Sequence, residues 1–360
     1  MSALKRLHDV GQSIWLDAIS REMLEDGTLE RYVGDLSVTG LTSNPTIFQR
    51  AVTATHRYDE LIRARLAEIG SPEKLFFELA LQDIVAAADQ FRPIFDSTAG
   101  VDGFASIEVS PTLADDAKGT TAAGKDLHAR AERPTVLIKV PGTKAGLVAI
   151  EELIAAGVPI NVTLLFTVED YDATAEAYLK GLERRVEAGA DPNVPSVASL
   201  FISRWDAHVN SLLPPELDNK LGVAVAERAY RNYRRLLASN RWKKLAAAGA
   251  KPQRLLWAST GTKDPAIPDT YYVTALAADG TVNTMPEKTL LAFGERGEVR
   301  GTLDADAAEA DRVIGEIEKA GVDVTALGRT LQTEGKDSFV ESWDELLACI
   351  ESKRGAMKAS

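Results

Sequence analysis

The sequence is poor in the residues that build disulfides and metal centres. It contains one cysteine, Cys349, so no disulfide can form within the chain, and this usage is typical of a reducing compartment. Its four histidines stand far apart, never in the HExxH spacing of zinc enzymes, and no CxxC pair occurs. We therefore expect a cytoplasmic protein without a bound metal.

Long hydrophobic runs and basic tracts are also missing. The N-terminal stretch MSALKRLHDVGQS lacks the apolar core of a signal peptide or an anchor, so we expect no membrane association. The net charge is −12 and no basic tract exceeds a few residues, which disfavours a nucleic-acid partner. No GxGxxG follows an early strand, so no nucleotide cofactor is indicated. An anionic substrate would need a local cationic pocket.

What the sequence does contain is a regular alternation of short apolar runs and long amphipathic segments. The 360 residues are 45% hydrophobic and 26% charged, as in ordinary globular proteins. The segment VEDYDATAEAYLKGLERRVEAG has helical periodicity and follows a capping-box pattern, Thr167-x-x-Asp170. Between such helices we predict eight strands, in the stretches SIWLDAI, SVTGLTSN, FASIEVSP, TVLIKVPG, PINVTLLFT, PSVASLFIS, QRLLWAST and TVNTMP.

This order of elements predicts the fold class. Strands that alternate with helices form parallel sheets through right-handed crossovers. Eight repeats of the unit favour a closed (β/α)8 TIM barrel over an open doubly wound sheet, which remains the alternative. We expect a single domain over residues 1–360, because no linker or low-complexity tract divides the chain. Helices at about residues 300–355 would pack on the outside of the barrel.

One predicted strand carries a charge at its centre. In PTVLIKVPGTKAG, Lys139 stands among apolar residues, and burying an unpaired ammonium group costs several kcal/mol. The period-two alternation puts Leu137 and Lys139 on one face, which we assign to the barrel interior because a lysine under the helices would be unpaired. There it would lie near the carboxyl end of its strand, where TIM barrels keep their active sites. The alternatives are an edge-strand charge and a buried ion pair.

Other strands bring polar side chains toward the same end. Asp17 is the single charge in SIWLDAI, and Glu108 has the same position in FASIEVSP. In PSVASLFISR, Phe201 shares a face with Ser199, and Arg204 follows the strand. The convergence of six strands is stronger evidence than any one residue. The further candidates are Asn44, Asn161, Thr163, Ser259 and Lys263.

Each candidate also has a purely structural interpretation. Asp17 could cap a helix that begins near Ser20, and Asn44 before a proline is a common helix-entry signal. Glu108 could be a charge at a loop mouth, and Thr163 a simple β-former. The remaining cations could be solvated surface charges, an interpretation open for Arg204 and Lys263 and adopted here for Lys125 and Lys144.

A desolvated lysine beside two carboxylates suits one kind of chemistry. Desolvation favours the neutral form of an amine, which can attack a carbonyl and lose water to give a Schiff base. The protonated imine then withdraws electrons, so that a neighbouring C–C bond breaks without a metal. One carboxylate would shuttle protons during imine formation, and the other would deprotonate the hydroxyl of the departing carbon. Arg204, Lys263 and Ser259 could bind a phosphate. These are the functional groups of a class I aldolase.

Several of these motifs resemble those of transaldolases. The resemblance runs in order from about residue 10 to about residue 295 and is closest to the longer bacterial branch, whose relatives are sometimes fused to a glucose-phosphate isomerase. It implies a transferase with an aldolase-type TIM barrel, no cofactor, sugar-phosphate substrates, and a monomer or homodimer. The motifs that carry it are LTSNPTIF, VLIKVPGT, INVTLLFT, LWASTGTKDP and TVNTMPE.

The resemblance implies roles for individual residues. Lys139 matches the Schiff-base lysine, and Asp17 matches the carboxylate that handles the hydroxyl proton. Glu108 and Thr163 match the pair that holds a catalytic water. The positions that match substrate-binding residues are Asn44, Asn161 and Ser199 for the dihydroxyacetone unit, and Arg204 and Ser259 for the phosphate.

One position departs from the pattern. Better-known members have an arginine two residues past Ser259, where this chain has Gly261, so Lys263 would supply the second cation.

The implied reaction belongs to the non-oxidative pentose phosphate pathway. A dihydroxyacetone unit passes from sedoheptulose 7-phosphate or fructose 6-phosphate to an aldose phosphate, either glyceraldehyde 3-phosphate or erythrose 4-phosphate. The nearest alternative is a fructose 6-phosphate aldolase, whose much shorter chains have a tyrosine and a glutamine where Phe201 and Glu108 stand here. A second alternative is a non-catalytic barrel that binds sugar phosphates, which would have no need of a desolvated amine.

Overall fold

Eight parallel strands close into a barrel. The structure, a computed structural model, describes residues 2–65 and 68–359. The strands follow one another around the barrel in chain order, and the first pairs with the last, with Leu16 opposite Met285. This closure confirms the predicted TIM barrel and excludes the open sheet. The strands are β1 (Ser13–Leu16), β2 (Val38–Leu41), β3 (Phe104–Glu108), β4 (Val136–Pro141), β5 (Ile160–Leu165), β6 (Ser196–Phe201), β7 (Arg254–Ala258) and β8 (Val282–Met285).

Helices alternate with these strands and surround the barrel. No helix within residues 2–65 and 68–359 has both the length and the apolar character needed to cross a bilayer. Short 3-10 turns occur at Pro111–Leu113, Asn210–Leu212 and Pro215–Leu217. The α-helices of the described residues are α1 (Ala3–Asp9), α2 (Arg21–Glu25), α3 (Thr28–Leu36), α4 (Pro45–Ala54), α5 (Asp59–Arg65), α6 (Pro72–Ser97), α7 (Ala117–Ala131), α8 (Lys144–Ala155), α9 (Val168–Glu187), α10 (Ser203–Val209), α11 (Leu221–Ala238), α12 (Asn240–Ala247), α13 (Tyr271–Ala275), α14 (Glu287–Arg296), α15 (Ala308–Lys319) and α16 (Val324–Ala359).

Polar side chains cap several helices that follow strands. The Thr167 hydroxyl accepts a hydrogen bond from the Asp170 N–H at 3.0 Å, and the Asp170 carboxylate accepts from the Thr167 N–H at 2.9 Å. This reciprocal pair confirms the predicted capping box at the start of α9. Ser20 caps α2 by accepting from the Met23 N–H at 3.2 Å. The interpretation of Asp17 as the cap of this helix is therefore wrong.

A buried polar cluster fills the amino-terminal end of the barrel. The Asp102 carboxylate accepts a hydrogen bond from Trp15 Nε1 at 2.8 Å and lies 3.5 Å from the Arg254 guanidinium. Arg254 also donates to the Ser13 hydroxyl at 2.7 Å, and all four side chains are buried. These buried contacts occupy the amino-terminal end, and TIM-barrel sites lie at the opposite end, where the strands have their carboxyl ends.

The C-terminal helix contacts two parts of the molecule. Trp343 of α16 packs edge-on against Phe76 of α6, with ring centroids 5.0 Å apart. Eleven residues earlier, the Gln332 amide donates a hydrogen bond of 3.0 Å to the Leu164 carbonyl near the end of β5. The sequence predicted these helices on the outside of the barrel. The structure additionally brings α16 to the mouth, where it can contribute to a site.

The start of α11 provides a test of the fold's stability. The buried Asp206 carboxylate accepts hydrogen bonds from the N–H groups of Leu221 at 2.9 Å and Gly222 at 3.2 Å, and from the Tyr272 hydroxyl at 2.8 Å.

We predict that Asp206→Ala lowers the free energy of unfolding by about 2–4 kcal/mol, because three buried donors lose their acceptor. Urea denaturation at neutral pH measures the change. Tyr272→Phe, which removes one donor, should cost about 1 kcal/mol. Equal losses for the two variants would contradict the prediction.

Candidate active site

A cavity of about 460 Å³ opens at the carboxyl ends of the strands. Its size is that of a small-molecule site. Nine of the eleven side chains singled out in the sequence line it, although they come from distant parts of the chain. They are Asp17, Asn44, Lys139, Thr163, Ser199, Phe201, Arg204, Ser259 and Lys263.

The other two candidates, Glu108 and Asn161, lie behind the cavity wall. Glu108 borders a separate small cavity together with Phe48 and Phe76, and it reaches the main cavity through its contact with Lys139. The Asn161 amide donates to the Ser106 hydroxyl at 3.1 Å and accepts from the Ser199 hydroxyl at 2.7 Å.

Lys139 is held at the cavity wall by two acceptors. Its ammonium group donates to Glu108 Oε2 at 3.0 Å and to the Ser43 carbonyl at 3.1 Å. The side chain is only 6% exposed. Glu108 and Lys139 are opposite each other in the pairing of β3 with β4, which fixes their approach. Lys139 therefore forms a buried ion pair, as one of the alternatives predicted. Its partner is Glu108, the carboxylate predicted to be catalytic, and Lys139 also lines the cavity.

Burial changes the acidity of Glu108. Desolvation raises the pKa of its carboxyl above the ordinary value, and the charge and hydrogen bond of Lys139 offset this only in part. The neighbouring charge of Asp17 raises the pKa further. A carboxyl group with a raised pKa, 3.0 Å from an amine, is suited to giving and taking back a proton at that nitrogen.

Asp17 occupies the end of β1 on the same cavity. Its backbone N–H donates to the Met285 carbonyl at 2.7 Å, and its Oδ1 accepts from the Thr42 hydroxyl at 2.6 Å. Burial raises the pKa of Asp17, and the hydrogen bond from Thr42 and the charge of Lys139 lower it by less. The site therefore contains two carboxyl groups with raised pKa values and different partners, a basis for different proton-transfer roles.

Thr163 lies beside an irregular turn of β5. The pairing of β5 with β6 shifts register between Val162 and Leu165, and Leu164 has a left-handed φ of 59°. The Gln332 amide of α16 donates to the Leu164 carbonyl, which helps to hold this strained backbone. The buried Thr163 hydroxyl has no hydrogen-bond partner in the described part of the chain. A buried hydroxyl of this kind needs a partner, and a water molecule or a substrate in the cavity can supply one.

Asn44 caps a helix and also lines the cavity. Its Oδ1 accepts a hydrogen bond from the Ile47 N–H at 2.9 Å and so caps α4, whose first residue is Pro45. The helix-entry interpretation is confirmed by this cap. The cap uses the oxygen of the side-chain amide, which leaves the NH2 group as a donor.

Two further cationic side chains, Arg204 and Lys263, line the cavity. The Arg204 guanidinium stands 5.4 Å from the Phe201 ring centroid, and burial lowers the pKa of Arg204. Lys263 has a lowered pKa, caused by burial and then by the charge of Arg204. Neither cation has a carboxylate within ion-pair distance among the residues described. Ser259, next to them at the end of β7, has a left-handed φ of 56° and shares a hydrogen bond of 3.0 Å with Ser203. This arrangement suits an anion such as a phosphate.

The structure adds residues that the sequence analysis missed. Thr42, which donates a hydrogen bond to Asp17, follows β2, and Lys288 follows β8 in the motif MPEK. A search for polar residues at the carboxyl ends of the predicted strands could have found both. Phe339 of α16 gave no signal, because it comes from a helix far along the chain and reads as an ordinary apolar residue. Other lining residues that were missed are Thr46, Ile47, Arg50, Thr262, Thr284, Pro286, Thr289 and Ser338.

No group of three or more His, Cys, Asp or Glu side chains within residues 2–65 and 68–359 is arranged to hold a metal ion.

Comparison with known proteins gives consistent matches over nearly the whole chain. The model of one family, described as Transaldolase/Fructose-6-phosphate aldolase, matches residues 14–350. A protein of Frankia alni named Transaldolase is 43% identical, with 98% of this chain and 97% of the relative covered. Proteins with the same name from Saccharopolyspora erythraea and Thermobifida fusca are each 44% identical, covering 97% and 96% of both chains, respectively.

The raised pKa of Asp17 predicts a gain in stability when its charge is removed. Since the folded state binds a proton more tightly than the unfolded state, the free energy of unfolding falls as pH rises from the ordinary value of 3.8 through the raised one. We expect Asp17→Asn to be more stable than the original protein at pH 7, and the difference to vanish below the ordinary aspartate range. Urea denaturation across this pH range measures it.

Asp26 offers a matched control for this experiment. Its pKa is lowered by the hydrogen bond from Thr28, so Asp26→Asn should bring no gain in stability at pH 7. A gain of the same size at Asp26 as at Asp17 would contradict the argument from burial.

Proposed function

We propose that this protein is a transaldolase that acts through a Schiff base on Lys139. The premise is that the chain belongs to the transaldolase/fructose-6-phosphate aldolase family. It transfers a dihydroxyacetone unit from sedoheptulose 7-phosphate or fructose 6-phosphate to an aldose phosphate. The observation that carries the proposal is the buried contact of 3.0 Å between Lys139 and Glu108 on the wall of a cavity that Asp17 also lines.

The first step forms the imine. Glu108 accepts a proton from the Lys139 ammonium group, and the neutral amine attacks the C2 carbonyl of the ketose to give a carbinolamine. The carboxyl then returns its proton to the departing hydroxyl, which leaves as water and gives the protonated imine. Thr163, whose buried hydroxyl has no partner in the described part of the chain, holds this water. The raised pKa of Glu108 suits a group that must both take and give a proton.

The second step breaks the C3–C4 bond. Asp17 takes the proton of the C4 hydroxyl, the bond electrons pass into the imine, and an aldose phosphate leaves while an enamine stays attached to Lys139. The attached unit then adds to the aldehyde of the acceptor aldose, glyceraldehyde 3-phosphate or erythrose 4-phosphate, and Asp17 returns its proton. Hydrolysis with the water at Thr163 frees the new ketose. Asn44 and Ser199 line the cavity and orient the three-carbon unit, and Asn161 positions Ser199 by accepting the hydrogen bond of its hydroxyl.

The phosphate group is bound at the cationic side of the cavity. Arg204 and Ser259 supply one guanidinium and one hydroxyl, and Lys263 adds a second cation in place of the arginine absent at Gly261. Lys288 lines both this cavity and the neighbouring groove that Lys263 borders, so it contributes positive charge at the entrance. The net charge of −12 makes such a local cluster necessary for attracting anionic sugars.

The family description covers two activities, and two residues favour transfer over release. Fructose 6-phosphate aldolases have a tyrosine and a glutamine at the positions of Phe201 and Glu108. Phe201 is 7% exposed and carries no hydroxyl that could assist protonation of the enamine. An enamine that is not protonated survives until an acceptor aldehyde arrives. A non-catalytic barrel is disfavoured because a buried ion pair costs stability without aiding binding.

Chemical trapping tests the nucleophile. Borohydride added with fructose 6-phosphate should attach a three-carbon unit to the peptide that contains Lys139, as measured by mass spectrometry. Lys139→Met should abolish trapping and lower kcat by at least about 10³-fold, because the nucleophile is lost. Circular dichroism should show a folded variant. An adduct on another lysine, such as Lys144, would refute the assignment.

A coupled assay distinguishes transfer from release. With fructose 6-phosphate alone, we expect at most about one equivalent of glyceraldehyde 3-phosphate per site, because the enamine stays attached. Addition of erythrose 4-phosphate should start continuous turnover, followed as glyceraldehyde 3-phosphate formation. Continuous release of free dihydroxyacetone without an acceptor would instead identify an aldolase.

A further inference from the structure

An aromatic ring from the C-terminal helix faces the reacting nitrogen. Phe339 of α16 lines the cavity, and its ring centroid lies 5.4 Å from Lys139 Nζ. Phe339 as a whole is 5% exposed, so little water screens the contact. A cation within about 6 Å of a ring centroid is attracted by the negative face of the ring, and more strongly where water is excluded.

Contacts on both sides of Phe339 fix the helix that carries it. Toward the N-terminus, Lys336 forms an ion pair of 2.8 Å with Asp115. Toward the C-terminus, Ser342 accepts a hydrogen bond of 2.7 Å from the Thr46 hydroxyl. The next residue, Trp343, packs against Phe76 of α6. The ring is therefore held beside Lys139 by the helix as a whole and not by its own packing alone.

Imine formation changes what the nitrogen can bind. The Lys139 ammonium has three N–H groups, and it donates to the Ser43 carbonyl and to Glu108. A protonated imine has one N–H, so it keeps its positive charge but cannot donate to both acceptors. The attraction of an aromatic face needs no N–H. The aromatic ring therefore provides a larger part of the stabilisation of the positive charge on this nitrogen after the ketose has condensed than before.

We propose that Phe339 is a catalytic residue whose aromatic face stabilises the protonated imine on Lys139. This inference rests on the proposed function, since it requires that imine. It gives the C-terminal helix a role in the reaction, beyond closing the wall of the cavity. An apolar side chain of similar size would close the wall equally well but would not attract the cation.

Graded fluorination of the ring separates these two roles. Mono-, di- and trifluorinated phenylalanine incorporated at position 339 keep the shape of the ring and progressively weaken its negative face. The experiment determines the fructose 6-phosphate concentration that gives half-maximal borohydride trapping at Lys139. The same amino acids at position 77 are the matched control, because Phe77 packs 5.6 Å from Trp343 of α16 and does not contact the lysine. Phe339→Leu completes the series, and the melting temperature of each variant is recorded.

The expected result is a stepwise rise in the half-maximal concentration with each fluorine at position 339. The rise should reach about 2- to 10-fold for the trifluorinated ring and for Phe339→Leu, because the ring already attracts the ammonium group and only the difference from the imine counts, with no trend at position 77. Normal trapping that does not depend on fluorination at 339, or an equal trend at both positions, would overturn the role of the ring. Absence of any adduct on the unmodified protein would overturn the proposed function, and this inference with it.

Discussion

The site depends on one buried ion pair, Lys139 with Glu108, whose side chains are 6% and 5% exposed. Removing both charges from water costs several kcal/mol per ion, and the attraction between them recovers this only in a fixed geometry. Two neighbouring strands in register provide that geometry, because the two residues stand opposite each other in β3 and β4. The register of β3 with β4 is therefore a requirement of the site, since a slipped pairing would separate the amine from its acid.

The pair also interacts with the second carboxyl group of the site. Asp17 and Glu108 interact electrostatically with the same lysine, and the charge of Asp17 raises the pKa of Glu108. Two carboxylates and one ammonium give an excess of negative charge, which disfavours full ionisation of both acids. Hydrogen bonds to Asp17 from Thr42, and to Glu108 from Lys139, make the two acids unequal. An unequal pair is what a reaction with two separate proton transfers requires.

Features set by local periodicity could be predicted from the sequence. The alternation around Lys139, the capping box at Thr167 and the eight apolar runs depend on neighbouring residues, and the structure has all three. The positions of Glu108 and Asn161 behind the cavity wall could not be predicted. These positions depend on which polar neighbours form hydrogen bonds with each side chain. Asn161, for example, forms hydrogen bonds with Ser106 and Ser199. The bulge at Leu164 is equally hidden, because nothing in INVTLLFT marks a left-handed leucine.

The C-terminal helix shows the same limit at longer range. Its apolar residues indicate that α16 packs against something, but not that the Gln332 amide reaches the strained turn of β5. That contact joins the helix to the backbone on which Thr163 stands, while Phe339, two turns later, faces the lysine. Strands can present side chains to the cavity only from its wall and floor. A group that must face the nitrogen from the open side has to come from an element outside the barrel, and α16 is placed to supply it.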